Sequence, residues 1–359
     1  MSRYRSKVTI LGAAASLAVL AACSSGGSSS SSSAATSGTT SGAGSSASAS
    51  SSASSSSGVS ASVMAAAAKI PPISFVSSNT GNGFFIAAHC AMVQEAAKYH
   101  LNVKYYGSTP YAPSAQLPVL NSVAATNPKV LIVSPTDPTA LDAPLQQMKS
   151  NGTQIFTYDA TTANPALSDA FVHSNEYKAG YDGGLALAQA MGDKGTALII
   201  DIIAGNPLVV ARTGGMRAAL VAHGITVLAT QYDGETATND TSIVNSTLAA
   251  HPDLGGIAAM YSEATDGVIA ALKGANKMPQ VKVVGYDGEP NLYNWVKDGT
   301  LTALVVSPAH DDIVQVVNWL LDEAEGKPIS PKTVELTMYV VTKQNINEPQ
   351  IAAQEYTAC

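Results

Sequence analysis

From Ile73 onward, short apolar runs alternate with longer stretches in which apolar residues return every three or four positions. Ile73-Ser-Phe-Val76 and Val130-Leu-Ile-Val133 are runs of strand length with the near-continuous apolar character of strands covered on both faces. Segments 102–106, 154–158 and the shorter 170–172 complete a first set of strands. Between them, Phe85, Ala88, Met92, Ala96 and Tyr99 mark a helix over 84–100, and Leu117, Leu120, Val123 and Ala124 mark one over 116–126; 141–150 is a third. The alternation then restarts, with helices over 176–191, 207–222, 241–250, 265–275, 291–297 and 311–325. Strands are expected over 196–203, 225–231, 256–260, 281–286 and 303–307, with one more around 334–341. Regular strand–helix alternation with apolar strands predicts an α/β fold: two doubly wound parallel-sheet lobes, with function in the loops at the strands' C-terminal ends.

Ahead of this body the pattern changes twice. Arg3, Arg5 and Lys7 precede an apolar segment over 8–20, which is too short to span a bilayer but suits a secretory signal peptide over 1–22. Leu20-Ala-Ala-Cys23 resembles the bacterial lipobox, which implies lipid on Cys23 and a firm attachment to the membrane. The chain after Cys23 is nearly all Ser, Gly, Ala and Thr. It cannot bury enough surface to offset its ordering entropy, so 23–69 is expected to be a disordered tether.

Composition narrows the function. The roughly 290 residues after the tether exceed what one core usually holds, in keeping with two lobes. A net charge of −7 argues against nucleic-acid binding. The six His are scattered, no Cys/His cluster has metal spacing, and no nucleophile elbow or phosphate loop is present, so neither an enzyme nor a cofactor is expected. With Cys23 lipidated, Cys90 and Cys359 remain as a potential disulfide in an oxidising compartment.

The loops after the strands carry Asn82-Gly-Phe-Phe85, Ser134-Pro-Thr-Asp137, Tyr158-Asp159, Tyr261-Ser-Glu263 and Val284-Gly-Tyr-Asp-Gly288; His-Pro-Asp occurs at 251–253. In order and spacing, these segments resemble the type I periplasmic-binding-protein family near its ribose-binding members, over essentially all of 73–341. The resemblance implies two lobes joined by a three-segment hinge, crossing near Ser174, Ser307 and Thr337, with a ligand cleft between them. The first lobe would comprise 70–173 and 308–337, and the second 174–307 and 338–359. Asn82, Asp159, Arg212 and Asp287 would hydrogen-bond ligand hydroxyls, and Phe84 and Phe85 would stack on its faces. The charge-assisted bonds that carboxylates and guanidinium make to polyols agree with that assignment.

Four positions depart from the ribose pattern. Ala160 stands where that pattern has Arg, Ser262-Glu263 replace an Asn-Asp pair, Ser307 replaces a Gln, and Glu235 aligns with an aromatic. A site with fewer cations and more carboxylates is expected, which leaves a polyol, a different sugar or a partly cationic ligand open. The resemblance thus implies a monomeric, lipid-anchored solute-binding protein outside the cytoplasmic membrane, passing a small polar ligand to an ABC permease. A membrane-tethered ligand sensor on the same fold is the alternative.

Overall fold

The computed structural model describes residues 58–357 and Cys359, so the expected signal peptide, Cys23 and most of the tether lie outside the described residues. In chain order the elements begin with α1 (Ala61–Ala67), β1 (Ile73–Ser77), α2 (Gly83–Tyr99), β2 (Val103–Gly107) and α3 (Pro113–Ala124). Next come β3 (Val130–Val133), α4 (Asp142–Ser150), β4 (Gln154–Tyr158), β5 (Ala170–Ser174), α5 (Glu176–Met191), β6 (Thr196–Asp201) and α6 (Pro207–Ala222). They are followed by β7 (Thr226–Val227), β8 (Gln231–Tyr232), α7 (Ala237–Ala250), β9 (Leu254–Ala259), α8 (Ser262–Gly274) and β10 (Lys282–Tyr286). The series ends with α9 (Pro290–Asp298), β11 (Ala303–Val306), α10 (Ala309–Ala324), β12 (Thr333–Leu336), β13 (Tyr339–Val341) and α11 (Pro349–Ala352).

Two sheets organise these elements. The first has the order β12-β5-β4-β3-β1-β2 and is parallel throughout. The second runs β13-β11-β10-β9-β6-β7, with β8 also paired to β6; β13 is its antiparallel member. Every residue of β1, β3, β6 and β11 is buried, as the continuous apolar runs require of strands sandwiched between helices. The fold class is therefore the one expected: two parallel-sheet α/β lobes. The chain passes from one sheet to the other between β5 and α5, between β11 and α10, and between β12 and β13.

Three local expectations are corrected. The tether does not extend to residue 69, because α1 is helical, capped by the Ser60 hydroxyl, with Ala66 and Ala67 buried and the helix packed on α10. The single strand expected over 225–231 is two short pieces. Between them, Arg217 donates to the carbonyls of Val227 and Leu228 at 3.2 and 2.8 Å and to the Thr230 hydroxyl, satisfying acceptors that a continuous strand would offer to a neighbour. The strand around 334–341 likewise divides, β12 joining the first sheet and β13 the second.

The C-terminal segment lies against the second lobe and ends on the first. The Tyr293 hydroxyl donates to the Ile351 carbonyl, and Tyr356 N–H donates to the Gly288 carbonyl. The Tyr356 hydroxyl reaches the Ser307 carbonyl at the second crossing, and a disulfide joins Cys359 to Cys90 of α2.

Candidate functional site

Equivalent turns in the two lobes start the site. After β4, Asp159 N–H donates to the Val172 carbonyl of β5; after β10, Asp287 N–H donates to the Val305 carbonyl of β11. Each residue then takes a left-handed backbone, with φ of 61° and 76°, which carries the chain off its sheet at the strand's C-terminal end. Glu235, in the loop after β8, also has φ of 61°. Asp tolerates this region better than Glu does, and such backbone strain concentrates at functional sites.

The first lobe contributes an aromatic wall. Asn82 caps α2, its side-chain oxygen accepting from Phe84 N–H at 3.1 Å, and this fixes the two Phe rings that follow. Phe84 and Phe85 meet edge to face, with centroids 5.1 Å apart, and Phe85 stacks on Tyr111 at 6.0 Å. All three line a closed cavity together with Asn82 and Asp159.

Across the cleft, the second lobe contributes charge. Helices α5 and α6 pack so closely that a Cβ on Gly180 would collide with the Arg212 carbonyl, and one on Gly215 with the Tyr177 carbonyl. That seam brings Glu176 of α5 to Arg212 of α6 as a buried ion pair at 3.1 Å. Arg212 also donates to the Met260 carbonyl at 2.8 Å and lies 5.3 Å above the Tyr286 ring. Asp287 accepts from Ser262 N–H at 3.0 Å, and Ile202, Leu208, Val209 and Met338 fill the apolar remainder. Within the cavity, about 60 Å³ is open to the centre of a water-sized sphere, room for a handful of water-sized groups at ~10–15 Å³ each.

Burial dominates the electrostatics here. It pushes the carboxyls of Asp159, Asp201 and Asp287 each up to about 7, against the opposing pull of the Arg212 guanidinium. Glu176 is raised for the same reason, and Arg212, among these carboxylates, is held protonated. Among the described residues the Asp159 carboxylate accepts from the Ser134 hydroxyl at 3.2 Å. The cluster is thus rich in acceptors, some carrying protons near neutral pH, around one cation. Among the described lining residues neither Lys nor His joins Arg212.

Of the residues singled out from sequence, Asn82, Phe84, Phe85, Asp159, Arg212, Glu235, Asp287 and Ser307 all line this cavity. Glu235 faces it from a bridge between lobes: its two carboxylate oxygens accept from Asn79 Nδ2 at 2.7 Å and Tyr111 N–H at 2.8 Å. Ser262 and Glu263 stand differently, outside the lining. Glu263 accepts from Asn82 Nδ2 at 3.0 Å and from the Ser262 hydroxyl at 2.9 Å, so it ties α8 to the first lobe. Asn206 adds a further bridge, donating to the Thr136 carbonyl at 3.2 Å. Sequence reasoning passed over Tyr111, Glu176, Tyr261 and Tyr286, which also line the cavity. Tyr261 and Tyr286 sit immediately before residues already singled out, and Glu176 begins the helix after the first crossing.

Comparison with known proteins agrees with the fold. The family model for the periplasmic binding protein domain matches residues 73–328. The ribose import binding protein of Salmonella typhimurium is 28% identical over 234 residues, 65% of this chain and 78% of that protein. The D-apiose import binding protein of Paraburkholderia graminis is 23% identical over 224 residues, 58% of this chain and 69% of that protein. An ABC transporter solute-binding protein from Agrobacterium vitis, solved with α-D-tagatopyranose, has a TM-score of 0.75 at 24% identity, covering 80% of this chain and 99% of that one. One from Bacillus halodurans, solved with myo-inositol, has a TM-score of 0.71 at 22% identity, covering 79% and 98%. With a match that runs from β1 through α10 and takes in every strand of both sheets except the edge strands β12 and β13, the chain belongs to the periplasmic binding protein domain family.

Proposed function

We propose that this protein is an exported binding lipoprotein of an ABC importer, which captures a sugar or sugar-like polyol by closing its two lobes and passes it to the membrane permease. The observation that carries the reading is the cavity itself, closed between an aromatic wall and a carboxylate–guanidinium cluster. A polyhydroxy ring has apolar faces and an edge of adjacent donors and acceptors, and it would match both walls at once. The names of the relatives, which import ribose or D-apiose, and the sugars held by the structural neighbours support the same class. Hinge closure fits three crossings of the chain between the sheets, and the bridges at Glu235, Glu263 and Asn206 would latch the closed state. Lipid on Cys23 would keep this receptor near its permease while the tether lets it turn.

A thermal-shift screen across sugars, polyols, nucleosides and amino compounds tests the ligand class, because a ligand bound only by the folded state raises its stability. Stabilisation is expected from sugars or polyols at one-to-one stoichiometry, with the ligand recovered unchanged. Stabilisation confined to nucleosides or amino acids, or chemical conversion of a bound sugar, would sink the reading. For the anchor, Cys23→Ala is expected to release the protein from membranes into the soluble fraction; a variant still held there contradicts lipid attachment at that residue.

A further inference from the structure

A second cavity adjoins the first on the hinge side. It is a groove more open to solvent than the first cavity, with about 360 Å³ open to the centre of a water-sized sphere. The two share Asp159, Glu176 and Leu208 as lining residues. Asp159 thus lies next to both spaces.

The second cavity is furnished for a ring. Phe171 and His173 alternate with buried residues along β5, so they share one face of the first sheet, beside its edge strand β12. Helix α10 packs on β4 and β5, yet Phe171 and His173 stay half-buried and stack on each other at 4.7 Å and 11°. The stacked pair presents ring edges and its uncovered outer faces. Tyr177, at the start of α5, is 51% exposed and borders the same space. Hydrogen-bonding groups flank these rings: Asn175, which donates to Glu335 at 3.4 Å, and Thr161. The residue after Asp159 is Ala160, which lines the second cavity with no more than a methyl group beside the shared carboxylate.

We propose that the site takes an extended ligand, a disaccharide or an aryl-type glycoside, with one sugar unit in the closed cavity and the next ring in the adjoining cavity against Phe171, His173 and Tyr177. The inference rests on the sugar-binding reading and specifies its substrate class. The exposed Tyr177 ring and the uncovered aromatic surface of the stacked pair, set beside polar groups, suit a sugar or aryl ring, because aromatic surface covers its apolar side while the polar rim takes its hydroxyls.

Calorimetric titration tests it, using D-glucose, D-galactose, D-ribose and D-arabinose. Each sugar is compared with its α- and β-linked 4-nitrophenyl glycosides, and the two hexoses also with disaccharides that contain them. At least one extended compound is expected to bind tenfold or more tightly than the sugar it contains. Ala160→Trp, which fills the second cavity beside Asp159, and Tyr177→Ala, which removes an exposed ring with little risk to folding, should each bring that ratio towards one. If a free monosaccharide binds and no extended compound binds more tightly, the inference is overturned while the sugar-binding reading stands. A preference that survives both substitutions overturns the placement in the second cavity. If no saccharide in the panel binds, the extended-ligand inference is overturned, while the sugar-or-polyol reading is decided separately by the thermal screen.

Discussion

The two walls of the cleft are built on different physics. The first-lobe wall is a set of packed rings, Phe84, Phe85 and Tyr111, set in place by one helix cap at Asn82. The second-lobe wall is a buried charge cluster, Glu176, Arg212, Asp287 and nearby Asp201, held by two helices in backbone-close contact. Rings give shape and apolar area, and each can be trimmed without stranding a charge. The cluster gives directional hydrogen bonds, but each member depends on the others for its protonation and its solvation. Changes in the second wall should therefore cost stability and binding together, whereas changes in the first should cost mainly binding.

The largest expected effect comes from Arg212→Met. It leaves Glu176 and its neighbours without their cation, and breaking a buried pair in this way costs about 3–5 kcal/mol. Chemical denaturation should show that loss, and no ligand binding should survive. Unchanged stability would refute the dependence within the cluster. Gly180→Ala comes next. Its new Cβ must push α5 away from the Arg212 backbone, an overpacking that costs about 1–3 kcal/mol, and binding should weaken although no ligand contact is altered. Phe85→Leu keeps most of the apolar volume, so stability should change by less than about 1.5 kcal/mol. Loss of the ring face should nonetheless lower affinity about tenfold, equivalent to about 1.4 kcal/mol. A large stability loss with intact affinity would invert the comparison.

A pH profile sharpens the contrast with the smallest perturbation. Asp201 is fully buried, with Oδ1 accepting from Ile202 N–H at 2.8 Å and Oδ2 lacking a hydrogen-bond partner among the described residues. Arg212, Glu176 and Asp233 are the charged groups that act on it. Its carboxyl is pushed up to about 7, against about 3.9 in an unfolded chain, so between those values the folded state holds a proton that the unfolded state lacks. Stability from this group is thus greatest at the acid end of the window and declines as pH rises towards 7. The melting temperature of ligand-free protein should fall from pH 5 to pH 8, and Asp201→Asn should flatten that fall. A steeper fall in the variant would contradict the assignment.

Much of the architecture was legible from sequence because buried parallel strands write themselves as apolar runs. Val130–Val133 is wholly buried, as its four apolar residues foretell. Elements whose cause is tertiary were not legible. Helix α1 continues the Ala/Ser composition of the preceding segment and is distinguished by its packing on α10. The break between β7 and β8 depends on Arg217, an arginine one helix away. The site divides in the same manner. Asp159 and Asp287 stand at strand ends, where topology points, whereas Glu176 joins through a glycine seam that no strand rule identifies. Glu263 was singled out as a ligand contact but stands outside the lining, and its part in bridging the lobes emerges only once Asn82 is placed opposite it.

Small-angle X-ray scattering, with and without a saturating ligand identified by the thermal screen, most directly tests the claim that the two walls act by closing on a ligand. A smaller radius of gyration is expected in the bound state, with the bound curve matching the closed arrangement of the two lobes. An unchanged curve, with binding confirmed by calorimetry in the same sample, would contradict that claim.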